Sequence, residues 1–195
     1  MRWQRYGKER LIRVAFFGLR RRNAHAEAGS RLYGAAVAAA RDPFLYRVLQ
    51  VADTLDGRFD SLCLYVCLLI RCLQRQPEPG PALAQAVFDA MFRDMDANLR
   101  EMGVGDLSVG RHVRSMWEAL QGRAIAYARA IDAGDRAALE AAILRNVWRG
   151  AAAPGGASAA LARLARAQAA CLDGQILTAL AAGEAWFLPA EEAAQ

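Results

Sequence analysis

FDAMFRDMDANLREMGVGDLS, residues 88–108, carries its apolar side chains at helical pitch: Phe88, Met91, Phe92, Met95, Leu99 and Met102 fall on one stripe. Asp89, Arg93, Asp96 and Arg100 recur at i, i+3 and i+4 on a second face, the spacing at which opposite charges meet on a helix. Gly103 follows the last periodic residue and predicts a left-handed C-terminal cap. Asp106 or Ser108 then predicts the start of the next helix. A helix, a tight corner and another helix is the unit from which the rest of the chain is read.

Working outward, the same signals recur. Ser30 predicts the cap of a helix over 31–41 with Leu32, Tyr33, Ala36, Val37 and Ala40 on its apolar face, and Asp42-Pro43 predicts a restart over 43–49. A loop over 53–57 leads into residues 59–75, apolar nearly all round and therefore expected at the centre of the core. Pro77, Pro79, Gly80 and Pro81 stop that helix before the one over 81–102. Beyond the corner, 109–132 reads as a long helix carrying Val113, Met116, Trp117, Leu120, Ile125 and Tyr127, with Gly122 as a place to bend. Asp135 caps 136–149, residues 150–158 form a Gly/Ala/Pro linker, and a last helix over 159–182 ends at Gly183. No repeat of solenoid type is present. At 195 residues and 55% hydrophobic content, the expectation is one all-α domain, a compact irregular bundle of six to seven helices over 30–195.

Charge is unevenly placed. Residues 1–22 hold eight basic side chains, among them Arg2, Arg5, Lys8, Arg20, Arg21 and Arg22, against Glu9 alone. That is +7, and it leaves −2 for the remainder. Residues 1–29 thus read as a flexible basic arm attracted to polyanions such as a ribosome or an anionic membrane surface. The apolar run 14–19 is too short for a signal peptide and is followed by three arginines. No stretch reaches the ~20 apolar residues that span a bilayer. Cys63 and Cys67 stand a turn apart, but Cys72 is rotated from Cys67 by roughly 140°. With Cys171, His25 and His112 elsewhere, the reading is reduced thiols in a cytoplasmic protein and no metal site.

Asp94, Asp96 and Asn98 reproduce the opening of an EF-hand loop, yet Leu99 stands where that loop needs Gly and Gly105 where it needs a bidentate Glu, so the motif is incomplete and calcium is not expected. No P-loop, HExxH, G-x-S-x-G or strand-borne G-x-G-x-x-G occurs, and the pattern predicts a protein that is not an enzyme and carries no cofactor.

The stretch at 88–110, with ARDPFLY (residues 40–46) and VADTLDGRFD (residues 51–60), resembles the ubiquinol-cytochrome c chaperone family over residues 32–148, with an echo at 183–189. Members are similar in assisting the synthesis and assembly of cytochrome b in the bc1 complex, in mitochondria with a small partner protein near the ribosomal exit tunnel. The resemblance implies a bacterial assembly factor with cytochrome b or another bc1 subunit as client, cytoplasmic or peripheral at the inner membrane. Relatives begin near the segment at 16–21, which gives the expectation that residues 1–13 reflect an upstream start. At Leu64-Tyr65 the chain departs from the family, which places a His after the Leu, so no role is carried over there.

Residues in excess of what capping and solubility require mark the expected partner surface: Asp53, Asp56, Gly57 and Arg58 in the loop, with Asp89, Phe92, Arg93, Asp94, Asp96, Arg100, Glu101 and Asp106 on the helix and its corner. The plainer reading pairs Arg58 with an Asp to pin the loop, and Asp89, Asp94 and Asp96 with Arg93 and Arg100 as solvated ion pairs. The alternative function is a helical nucleic-acid-binding regulator, using the arm and Arg111, His112 and Arg114 at the start of the helix after the corner.

Overall fold

The computed structural model describes residues 19–195, with side chains from His25 onward except those of Asp106 and Leu107. The first eighteen residues, and with them Arg2, Arg5 and Lys8, lie outside the described residues. Arg20, Arg21 and Arg22 do so in their side chains. In chain order the helices are α1 (Leu19–Ala40), α2 (Pro43–Arg47), α3 (Leu55–Arg75), α4 (Gly80–Glu101), α5 (Asp106–Asp132), α6 (Arg136–Val147), α7 (Ala157–Asp173), α8 (Leu177–Ala181) and α9 (Ala190–Ala193), with a 3-10 turn at Pro154–Gly156. The fold is all-α, and among the described residues no helix is long and apolar enough to cross a membrane.

α3 is the axis. Every residue over 60–73 is buried, and α1, α4, α5 and α7 surround it. Its apolar circumference, unusual for a surface helix, is what the sequence shows when a helix has neighbours on all sides. Arg71 is buried on this helix and paired: its guanidinium meets Asp132 of α5 at 2.7 Å and Asp173 of α7 at 2.9 Å, and Arg75 adds a 3.0 Å bond to Asp132.

Several local signals hold. Asp42 caps α2 through the Phe44 N–H at 2.9 Å, and Asp135 caps α6 through the Ala138 N–H at 2.9 Å. After α4, Gly103 at φ 79° closes a Schellman motif, its N–H bonding the Arg100 carbonyl while Val104 N–H bonds that of Leu99.

Others are corrected. Ser30 does not begin a helix: α1 runs through it, and its hydroxyl donates back to the Ala26 carbonyl at 2.9 Å. The neighbouring Gly29 is where α1 presses on α4, so closely that a Cβ would collide with Ala86. Of the segment expected as a loop over 53–57, residues 55–57 are instead the first turn of α3, capped by the Thr54 hydroxyl on Gly57 N–H at 3.2 Å. α5 starts at Gly105 as cap residue, with Ser108 inside its first turn, and continues unbroken through Gly122. Ile125 is exposed, and Arg123 takes the core position between Leu120 and Tyr127. The last helix is not continuous, because α7 ends at Gly174 and α8 is a separate short turn.

Beyond Gly183 the chain crosses back over the bundle without helix. Gly183 has φ 81°, and a Cβ there would lie 2.6 Å from Arg31 Nε, so only glycine fits this turn. Residues 184–189 then run along α7 to α9, whose first N–H, that of Ala190, is held by Asp42 Oδ2 at 3.1 Å.

Candidate protein-recognition surface

The corner between α2 and α3 is set by backbone packing. Gly57 is buried against Ala52, and any Cβ would strike the Ala52 carbonyl oxygen, so the chain can turn this tightly only with glycine there. Outside the turn, Arg58 Nε bonds Asp53 Oδ1 at 2.6 Å, with both side chains more than half exposed. The carboxylate raises the guanidinium pKa further. The same guanidinium lies over the Tyr46 ring at 5.7 Å. This is the loop-pinning pair expected from the sequence. It leaves Leu55 67% exposed at the tip, beside Asp56.

Beneath the corner lies a charge cluster that sequence reasoning missed. Asp60 is buried and ion-paired with the buried Arg123 of α5, and Arg149, just past α6, reaches its other oxygen at 3.1 Å. Arg149 also stands 3.8 Å from Asp56, at the rim of the corner. Burial raises the Asp60 carboxyl above the ordinary carboxylate range, against the opposing pull of the two guanidinium groups. Arg123 lies over Phe59 at 5.6 Å, and its Nε, like Trp148 Nε1, has no hydrogen-bond partner among the described residues. An arginine at a core register between Leu120 and Tyr127 was the available signal for a buried carboxylate partner.

The α4 face is more dispersed than its spacing implied. Asp96 pairs with Arg100 at 2.7 Å, and the guanidinium lowers the pKa of that carboxyl. Asp94 instead accepts the Tyr33 hydroxyl of α1 at 2.6 Å, while Asp89 accepts from Gln85 at 2.7 Å. Arg93 bonds the Asp89 carbonyl at 3.3 Å and the Ser30 hydroxyl at 3.4 Å. Asp89 and Asp94 therefore form no ion pair with Arg93 or Arg100. Phe88 and Phe92 stack at 4.6 Å and pack their inner edges on the core with Met95, whereas Met102 is exposed. Glu101 is exposed, and the Asp106 side chain lies outside the described residues. Because α4 is helical through residue 101, Asp94, Asp96 and Asn98 cannot wrap one ion, and among the described residues no cluster of three or more His, Cys, Asp or Glu is placed to hold one.

No hydrogen bond or ion pair joins Asp53, Asp56 or Arg58 to Asp89, Asp94 or Asp96. The corner leans on α2, α5 and the end of α6, while α4 leans on α1. The two segments of the expected patch are thus not joined by a polar contact. At the start of α5, His112 Nδ1 contacts the Ser108 carbonyl at 2.8 Å and Arg114 pairs with Glu118 at 3.2 Å, both within their own helix.

The thiols are structural. Cys63, Cys67 and Cys72 are buried and unpaired, and Cys72 lies 3.2 Å from the Leu172 carbonyl. Tyr65, at the position where the sequence departs from the resembled family, is fully buried, edge-on to Phe187 at 5.3 Å.

A family model described as ubiquinol-cytochrome C chaperone matches residues 47–187. That interval contains the α3 corner, the Asp60–Arg123 pair and the whole of α4. The crystal structure of the Cbp3 homolog from Brucella abortus is similar at a TM-score of 0.78 and 33% identity, covering 89% of this chain and 95% of that one. No curated protein matches the chain. The match over most of the bundle, in sequence and in structure, shows that the chain belongs to the ubiquinol-cytochrome c chaperone family.

Proposed function

We propose that this chain assists assembly of a cytochrome bc1 complex by holding newly made cytochrome b, and that it does so as a binder without catalysis. The observation that carries the reading is the α2–α3 corner: Leu55 is 67% exposed, flanked by Asp53, Asp56 and Arg58, on a turn anchored from below by buried charge. An exposed apolar side chain ringed by polar groups offers a partner an apolar contact inside a polar rim. The outer face of α4, with Arg93, Asp96, Arg100 and Glu101, offers a second, polar contact. The basic arm, with Arg2, Arg5, Lys8, Arg20, Arg21 and Arg22, brings the chain to a ribosome or to the anionic surface of the membrane where the client is inserted.

Affinity capture of cytochrome b by the tagged chain tests this. Leu55→Glu reduces capture at least fivefold while leaving the thermal midpoint unchanged, because this side chain is 67% exposed and does not support the core. Undiminished capture removes the corner from the proposal, and absence of cytochrome b from wild-type captures removes the client. Deleting residues 2–22 abolishes salt-sensitive co-sedimentation with ribosomes or anionic liposomes, and unchanged binding to both contradicts the role given to the arm.

A further inference from the structure

The end of α7 and the turn that follows it, beneath residues 184–189, carry two amides that hold a polypeptide backbone. Gln168, fully buried, donates from Nε2 to the Leu188 carbonyl at 2.7 Å and accepts the Leu188 N–H on Oε1 at 2.9 Å. In the turn just past the end of α7, Gln175 repeats this with Trp186, donating to its carbonyl at 2.7 Å and accepting its N–H at 3.3 Å. Alternate residues of the crossing segment thus turn both backbone groups to a glutamine amide. Between them Phe187 turns its ring to Tyr65, the alternation of an extended chain.

An amide that pairs with both backbone groups of one residue reads no side chain. What the seat selects by side chain is little: Phe187 and Leu188 are half-buried and Trp186 is 59% exposed. Beside the segment a groove of 610 Å³ runs along the small residues Ala35, Ala38 and Ala39 of α1, so the flank of the crossing chain is open. Besides these two amides and the Phe187 ring, the segment is held at its ends, where Arg31 bonds the Ala182 carbonyl at 2.7 Å and Asp42 holds the Ala190 N–H.

We propose that Gln168 of α7 and Gln175 in the turn that follows it form a seat for an extended apolar polypeptide segment, and that residues 184–189 are its displaceable occupant, giving way to such a segment of a partner. The present occupant, EAWFLP, defines the partner's chemistry: extended, apolar and read through its backbone. Only the identity of that partner, an incompletely folded membrane protein, rests on the client-binding reading.

The test uses the full chain and a labelled peptide of residues 183–190, GEAWFLPA, followed by fluorescence anisotropy. Phe187→Ala weakens the chain's own segment while leaving the seat intact, and binds the peptide at least tenfold tighter than wild type. Adding Gln175→Ala removes that gain, and a peptide N-methylated at the Trp186 and Leu188 amides binds at least tenfold more weakly than the unmodified one. Equal affinity for wild type and Phe187→Ala, or full binding of the N-methylated peptide, overturns the seat. Leu188→Ala serves if Phe187→Ala fails to fold. Concentration-dependent dimerisation of the loosened variant, with the peptide as competitor, overturns the assignment to a partner in favour of a second copy. Cytochrome b capture is scored apart: peptide gain without capture gain upholds the seat and removes cytochrome b as its occupant.

Discussion

Asp60 and Arg123 show what one buried pair demands. Asp60 is 1% exposed, so a change at Arg123 leaves a carboxylate that water cannot reach, with Arg149 alone to answer it. Arg123→Ala is expected to cost about 3–5 kcal/mol in urea unfolding, the range for breaking a buried pair from one side. The double change Asp60→Asn with Arg123→Met recovers much of this, since it removes both charges. The thiols give a pH signature. Burial pushes Cys67 up to about 12 and, with the nearby Asp173 carboxylate, Cys72 up to about 11. The folded chain therefore keeps protons that the unfolded chain releases, so the stabilisation is complete below the unfolded value of about 8.5 and is lost as pH rises toward 11–12. Each thiol contributes a slope of about 1.4 kcal/mol per pH unit in that window. Urea midpoints from pH 8 to 10.5 should fall less steeply for Cys67→Ala than for wild type, and parallel slopes would contradict the argument. At this scale the sequence was legible where a residue acts on its own neighbours, as Gly103 does. It was silent on Asp60, because nothing near it names Arg123.

Among the elements, caps divide in the same way. Asp42 reads as a cap because Pro43 follows it, and it is one, but its second oxygen also holds the first N–H of α9. Asp42→Ala is expected to cost about 2 kcal/mol, roughly one for the lost cap and one for the orphaned Ala190 N–H. Asp42→Asn, which keeps one carbonyl acceptor, costs about half of that, and thermal unfolding of the two variants measures the difference. Ser30 misled because Gly-Ser is a local start signal, whereas the packing of Gly29 on Ala86 needs the helix to continue. The first turn of α3 was taken for a loop because Asp, Gly and Thr favour turns. Thr54 supplies the cap and Gly57 the clearance that make it helix.

Across the whole molecule, Arg71 ties α3, α5 and α7 together through Asp132 and Asp173. Its partners are about one third exposed, unlike Asp60, so they regain water when the arginine is removed. Arg71→Met is accordingly expected to cost about 1–2 kcal/mol, below the loss for Arg123→Met, because replacement of a buried ion by apolar volume is near neutral when its partners can rehydrate. Equilibrium unfolding of both variants gives the order, and the reverse order would place the heavier electrostatic demand at Arg71. The sequence by itself determined the helical class, the central place of α3, most helix ends and the family, since each follows from periodicity, local caps or motifs within one segment. Only the tertiary structure decided that VADTLDGRFD rests on Arg123 and Arg149 rather than on α4, and that residues 184–189 lie across Gln168 and Gln175. Those contacts join positions far apart in the chain, and helix packing, not spacing along one helix, brings them within bonding distance.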